Sequence, residues 1–248
     1  MENYPSCYIK KEKARKRAAP GQPRILPSWF DGPGTKGNIL YIPGLDPIEV
    51  LVPASEVRAQ YQKMASSIAA RCRSQEWPPY IRVYPLLRGG AKVGAYLTDA
   101  LFLHGVESIT TYPHVSHYDD NGQPSAKVIV RDLSLDYPSL PAFIFDEVYE
   151  SGESGLEVVA QFREQGMQGP LHFYTLCHKA GLDTVTFPSD VVVEKGIALS
   201  ADDWLIGCGM DSKGCQQIAS EELRKELSDA GFYRNLPFIG ILRKDLAA

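Results

Sequence analysis

The chain has 248 residues, 44% hydrophobic and 23% charged, and a net charge of −4, which suits a globular protein able to bury a sizeable core and gives no global basic field to gather nucleic acid. No apolar run approaches the roughly 20 residues of a membrane-spanning helix, and the polar N-terminus lacks the charged-then-apolar pattern of a signal peptide. Cys7, Cys72, Cys177, Cys208 and Cys215 are odd in number, scattered and free of any CxxC pair, which argues against a disulfide framework or a structural zinc and for a reducing cytoplasm.

Residues 1–37 make a basic, Pro- and Gly-rich arm, with Lys10, Lys11, Lys13, Arg15, Lys16 and Arg17 clustered near its start. A solvated arm is the plain reading, and a nucleic-acid contact through these cations is the alternative. Residues 39–42 suit an edge strand. Ser55 is placed to cap a helix on which Val57, Tyr61, Met64 and Ile68 recur at three- and four-residue spacing. A buried strand over 81–87 ends on Arg88-Gly89-Gly90 and passes into a second helix reaching about His104. Extended runs at 108–118 and 127–133 flank Asp119-Asp120-Asn121-Gly122, turn chemistry that predicts a hairpin or a mobile flap. His114 and His117 fall there and read as a polar loop pair rather than metal ligands. A short apolar strand at 142–145 leads through a polar loop into a helix whose buried side carries Leu156, Val159, Phe162 and Met167. Strands at 171–177 and 191–193 complete an alternating series, which predicts an α/β fold with a mostly parallel central sheet flanked by helices.

The segment Phe143-Ile144-Phe145-Asp146-Glu147-Val148-Tyr149-Glu150-Ser151-Gly152-Glu153-Ser154 is the most informative. An apolar strand runs into two adjacent acids, and a Ser-Gly-x-Ser turn then opens a helix. Such a turn is an anion cradle: backbone N–H groups point outward, the glycine admits close approach and two hydroxyls add donors. Acids at the strand's end are placed to accept from sugar hydroxyls, directly or through Mg²⁺. An acidic loop with a serine cap and no ligand is the alternative for this segment taken alone.

The order of these residues resembles the purine phosphoribosyltransferase family, in which an apolar strand precedes two acids, two apolar residues, an Asp and Thr-Gly-x-Thr. The resemblance implies that Asp146 and Glu147 hold the ribose hydroxyls and Mg²⁺, and that Glu150 exchanges a proton with N7 of the base. It implies that Ser151, Gly152, Glu153 and Ser154 form the 5′-phosphate loop, with Val148 among the base-binding residues. Two positions depart from the family: Glu150 is one methylene longer than the usual Asp, and Glu153 brings a negative charge beside a phosphate site, which requires it to face solvent.

Other stations follow in the family's order. Leu87-Arg88-Gly89-Gly90 is similar to the pyrophosphate loop, which implies a non-proline cis peptide between Leu87 and Arg88. Lys179, or His178 one residue before it, corresponds to the donor that meets the exocyclic oxygen of a 6-oxopurine, which can only accept. Trp204 corresponds to the aromatic stacked on the base, Leu205 to the backbone that reads its edge, and Asp211 to a ligand of Mg²⁺-pyrophosphate. Arg234 corresponds to a pyrophosphate-binding arginine, and residues 212–232 intervene as a helical insertion starting near Ser220 and stopping at Gly231.

The resemblance therefore implies a Rossmann-like type I phosphoribosyltransferase domain over 38–248, with a small hood from N-terminal residues and the segment near 191–211, and a flap. It implies Mg²⁺-dependent transfer of 5-phosphoribosyl from phosphoribosyl pyrophosphate (PRPP) to hypoxanthine, guanine or xanthine. A homodimer or homotetramer is the expected assembly, with no membrane partner. The alternatives are transfer to another or modified base, and a non-catalytic homologue that binds nucleotide or RNA.

Overall fold

The computed structural model describes residues 39–40, 47–78, 80–118, 124–200, 204–210 and 233–243, without the side chains of 116–118 and 124–127. The basic arm, the turn at 119–122, Asp211 and the 212–232 insertion lie outside the described residues. The chain divides into a larger unit, 59–202, and a smaller one made of 1–58 and 203–248.

The larger unit is built on a five-stranded sheet in the order β4 (Glu107–Thr110), β3 (Tyr80–Pro85), β7 (Ala142–Tyr149), β8 (Leu171–Lys179), β9 (Val191–Leu199). Every pairing in it is parallel, the arrangement expected from the alternation of strands and helices. Helix α2 (Gly90–Leu103) connects β3 to β4, and α3 (Glu153–Glu164) connects β7 to β8. Both central strands are apolar on both faces because helices cover both sides. Ile144 of β7 joins Val158, Val159 and Phe162 of α3 in one buried cluster. Phe143 stacks on His172 with ring centroids 4.5 Å apart, on alternate positions of the same strands. Each such fully buried side chain contributes about 1.5–3 kcal/mol relative to exposure.

Helix α1 (Ala54–Ser74) buries Val57, Tyr61, Met64 and Ile68, the stripe its spacing predicts. It starts one residue before Ser55, and the Val57 N–H donates to the Pro53 carbonyl, so Ser55 lies inside the first turn rather than capping it. Met167 is buried but follows the end of α3, its N–H donating to the Phe162 carbonyl. Glu194 of β9 accepts from Ser67 and Arg71 of α1 and from the Tyr174 hydroxyl, fastening the edge strand to the helix.

The run expected over 108–118 divides into two strands. β4 belongs to the parallel sheet, whereas β5 (His114–Tyr118) pairs antiparallel with β6 (Pro124–Arg131). Pro113 separates them: it lacks an N–H to continue a ladder, and its carbonyl accepts from Leu87 instead. Arg82, fully buried, anchors the base of this hairpin by donating to the Tyr84 and Thr111 hydroxyls and the Ser134 carbonyl.

The smaller unit is an antiparallel four-stranded sheet in the order β1 (Ile39–Leu40), β2 (Ile48–Val52), β11 (Ile239–Leu242), β10 (Leu205–Ile206). Leu40, Ile48, Val50, Ile206, Tyr233, Leu236 and Phe238 form its core. Val191–Leu199, expected in part to build a hood, is instead the edge strand of the larger unit. Among the described residues no helix is long and apolar enough to cross a membrane.

Candidate functional site

In parallel sheets ligands gather at the carboxyl ends of strands, where helix N-termini also point. Three neighbouring strand ends bring the predicted residues together in the larger unit.

The first is the end of β3. The peptide between Leu87 and Arg88 is cis. Leu87 donates to Pro113 and accepts from Val115, so this loop is hydrogen-bonded to the start of the hairpin. The Arg88 side chain is exposed, and Gly89 is buried. A Cβ on Gly89 would lie 1.8 Å from Glu147 Oε1 and 2.1 Å from Oε2, so the absent side chain leaves room for that carboxylate.

The second is the end of β7. Asp146 Oδ1 accepts from the Glu147 N–H at 3.0 Å. Burial, and then the charge of Glu147, push the Asp146 carboxyl well above the usual carboxylate range. Glu147 Oε2 is buried without a hydrogen-bond partner. A buried acceptor left open beside a second carboxyl suits a divalent cation or a pair of sugar hydroxyls, both of which would satisfy it. The donor set therefore fits Mg²⁺ at Asp146 and Glu147. Val148 is half-buried between these acids and Tyr149.

Past Tyr149 the chain turns into α3. Gly152 adopts φ +90°, a left-handed conformation that favours glycine. The Ser151 hydroxyl accepts from the Glu153 N–H at 3.3 Å. Ser154 is half-buried, and Glu153 is exposed.

The third is the end of β8. Lys179 is buried, and its ammonium lies 2.5 Å from Glu150 Oε1. His178 faces the other way, its Nδ1 3.2 Å from the Gly196 carbonyl. Of the two register choices, Lys179 is the one beside Glu150.

In the smaller unit Trp204 is 62% exposed, which removes a core role, whereas Leu205 is buried. Arg234 Nη1 donates to the Gly209 carbonyl at 2.7 Å. The Cys208 and Gly209 N–H groups donate to Leu236 and Arg234, so the turn at 207–210 is pinned to the segment carrying Arg234.

Comparisons with known proteins bear on the fold. No family model matches the sequence, and no curated protein matches it. Solved structures do: the hypoxanthine phosphoribosyltransferase of Trypanosoma cruzi superposes with a TM-score of 0.58 at 18% identity, over 78% of this chain and 95% of that one. The same enzyme with its product IMP gives 0.59 at 19%, over 80% and 95%. A glutamic acid mutant at an aspartate invariant in HPRTs gives 0.60 at 20%, over 80% and 97%. The chain has the fold of a hypoxanthine phosphoribosyltransferase. Within that fold the strand ends of β3, β7 and β8 carry the residues just described, in the larger unit.

Spacing gives no sign of one further group. Tyr149, Asp183 and Lys195 meet in space from β7, the β8–β9 link and β9. Their separation in sequence leaves no motif to read.

Proposed function

We propose that the protein transfers 5-phosphoribosyl from PRPP to a 6-oxopurine, giving a nucleoside monophosphate and pyrophosphate. The observation that carries this reading is the ion pair of Lys179 and Glu150, because it joins a buried cation at one strand end to the turn that follows the paired acids. A purine presents an oxygen acceptor beside a ring nitrogen that loses a proton on glycosylation, and an ammonium beside a carboxylate matches that edge.

In this reading Asp146 and Glu147 orient the ribose hydroxyls, and the turn at 151–154 binds the 5-phosphate through backbone N–H groups. Leu87, Arg88, Gly89 and Arg234 bind pyrophosphate, whose departure leaves positive charge on the ribose carbon. Glu150 takes the proton released at the base, Lys179 and Val148 contact the base, and Trp204 stacks on it while Leu205 reads its edge. Mg²⁺, held by Asp146, Glu147 and Asp211, supplies charge neutralisation to the leaving pyrophosphate when bound. The hairpin of β5 and β6 covers the reacting centre and excludes water that would hydrolyse the donor. Residues 38–248 act as one catalytic domain.

A second reading is transfer to another base, and Glu150 favours it, since its longer side chain already occupies Lys179. Pyrophosphate release with PRPP, Mg²⁺ and each of hypoxanthine, guanine, xanthine and adenine separates the two. Turnover confined to the 6-oxopurines supports the first reading, turnover only on other bases supports the second, and none on any base removes both.

A further inference from the structure

Behind the phosphate turn lies a group of side chains that the proposed chemistry does not use. Tyr149, the last residue of β7, is buried, and the Lys195 ammonium lies 4.0 Å from the centre of its ring. The same ammonium pairs with the Asp183 carboxylate. One ammonium thus ties the end of β7, the β8–β9 link and β9.

The next residue reaches the turn itself. The Thr184 N–H donates to the Ser151 carbonyl at 3.2 Å, and the Thr184 hydroxyl approaches the same oxygen at 3.4 Å. Gly152 is closed in from this side: a Cβ there would lie 2.3 Å from the Tyr149 hydroxyl and 2.8 Å from Val185 Cγ2. The Ser151–Gly152 peptide is trans, so its C=O and N–H point in opposite directions. Holding the Ser151 carbonyl toward Thr184 therefore aims the Gly152 N–H away from the link and out of the turn.

We propose that Tyr149, Asp183, Thr184 and Lys195 form a latch of positioning residues that holds the turn at 151–154 in the shape that accepts a phosphomonoester. The latch rests on the phosphoribosyl-transfer reading, in which that group is the 5-phosphate of the donor. Asp183 and Lys195 are solvent-accessible, with side chains 50% and 28% exposed, and such pairs add little to stability. The latch acts on ligand affinity rather than on folding.

Calorimetry with ribose 5-phosphate, beside kinetics with PRPP and hypoxanthine, tests this on Lys195→Met, Asp183→Asn and the double variant. Each single variant is expected to raise the ribose 5-phosphate Kd and the PRPP KM about tenfold, a loss on the order of 1.4 kcal/mol. The double variant is expected to be no worse than either single one, because the two groups act as a unit. The kcat and the hypoxanthine KM stay within about twofold, unfolding midpoints stay within about 3 °C, and Lys195→Arg behaves as the wild type. Unchanged ribose 5-phosphate affinity in both single variants, losses that add in the double variant, or a wild type that binds no ribose 5-phosphate would each overturn the latch. A wild type that binds ribose 5-phosphate yet forms no nucleotide overturns the transfer reading instead, and calorimetry of the variants then decides the latch alone.

Discussion

The Lys179 ammonium lies 2.5 Å from the Glu150 carboxylate, on the ends of adjacent parallel strands. Lys179 is buried and Glu150 is exposed, so the pair offers a desolvated donor with its acceptor at the open edge. A base oxygen that takes up the ammonium replaces a charge-assisted bond rather than filling an empty site. Lys179→Met is therefore expected to raise the KM for a 6-oxopurine by about tenfold or more, the loss of one such bond. The PRPP KM stays within about threefold in the same assay. Equal losses for both substrates would remove Lys179 from base recognition.

Gly89 and Glu147 are related by space rather than by a bond. Gly89→Ala places a methyl where the Glu147 carboxylate lies, 1.8 Å from Oε1. The end of a glutamate side chain can swing aside, so folding is spared while the carboxylate moves. The expected result is an unchanged unfolding midpoint with a PRPP KM raised about tenfold to a hundredfold, as for other small misplacements of a binding group. An unaltered KM would show that Glu147 does not meet the donor from its present position.

Asp146 trades stability for its placement. Burial and the neighbouring Glu147 raise its carboxyl above the ordinary value. A carboxyl raised on folding contributes stability at low pH and loses it as pH rises through the interval between the two values. Asp146→Asn removes that loss, so the unliganded variant is expected to unfold at a higher temperature than the wild type at pH 8. Its turnover falls in the same preparation. A lower midpoint would mean that the carboxylate is stabilised by its surroundings.

His172 gives a second pH dependence of opposite sign. It is buried, both ring nitrogens lack a hydrogen-bond partner, and burial pushes its pKa from 6.5 down to about 4. The unfolded chain binds a proton below about 6.5 that the folded chain refuses until about 4, so stability is full above this window and falls as pH drops through it. The loss is roughly 3 kcal/mol across the window. Chemical unfolding of the wild type and His172→Phe from pH 7.5 to 4 checks this: the variant is expected to show a shallower fall. Parallel slopes would assign the acid sensitivity elsewhere.

Much of the fold was legible because its signals are local. The stripe on α1, the apolar centre of β7 and the Ser-Gly-x-Ser turn each lie within a few consecutive residues. β9 was legible only over its first residues, since Glu194, Lys195 and Gly196 interrupt the apolar run on a strand that is half-buried at the sheet edge. The break between β4 and β5 was hidden because residues on both sides of Pro113 favour extended backbone. In the site, spacing could give the acids and the turn but not which of His178 and Lys179 faces Glu150, since neighbours on a strand point to opposite faces. The meeting of Tyr149 with Asp183 and Lys195 depends on the strand order β7-β8-β9, which no local pattern encodes.

The central claim is tested most directly by following nucleotide formation from PRPP, Mg²⁺ and hypoxanthine in the wild type and Glu150→Gln, with PRPP affinity measured on the same samples. The wild type is expected to form one IMP per pyrophosphate released, and Glu150→Gln to lose about a hundredfold in turnover, the usual contribution of a general acid or base, while binding PRPP as tightly. A Glu150→Gln variant that turns over like the wild type, or a wild type that binds PRPP and forms no nucleotide, would contradict it.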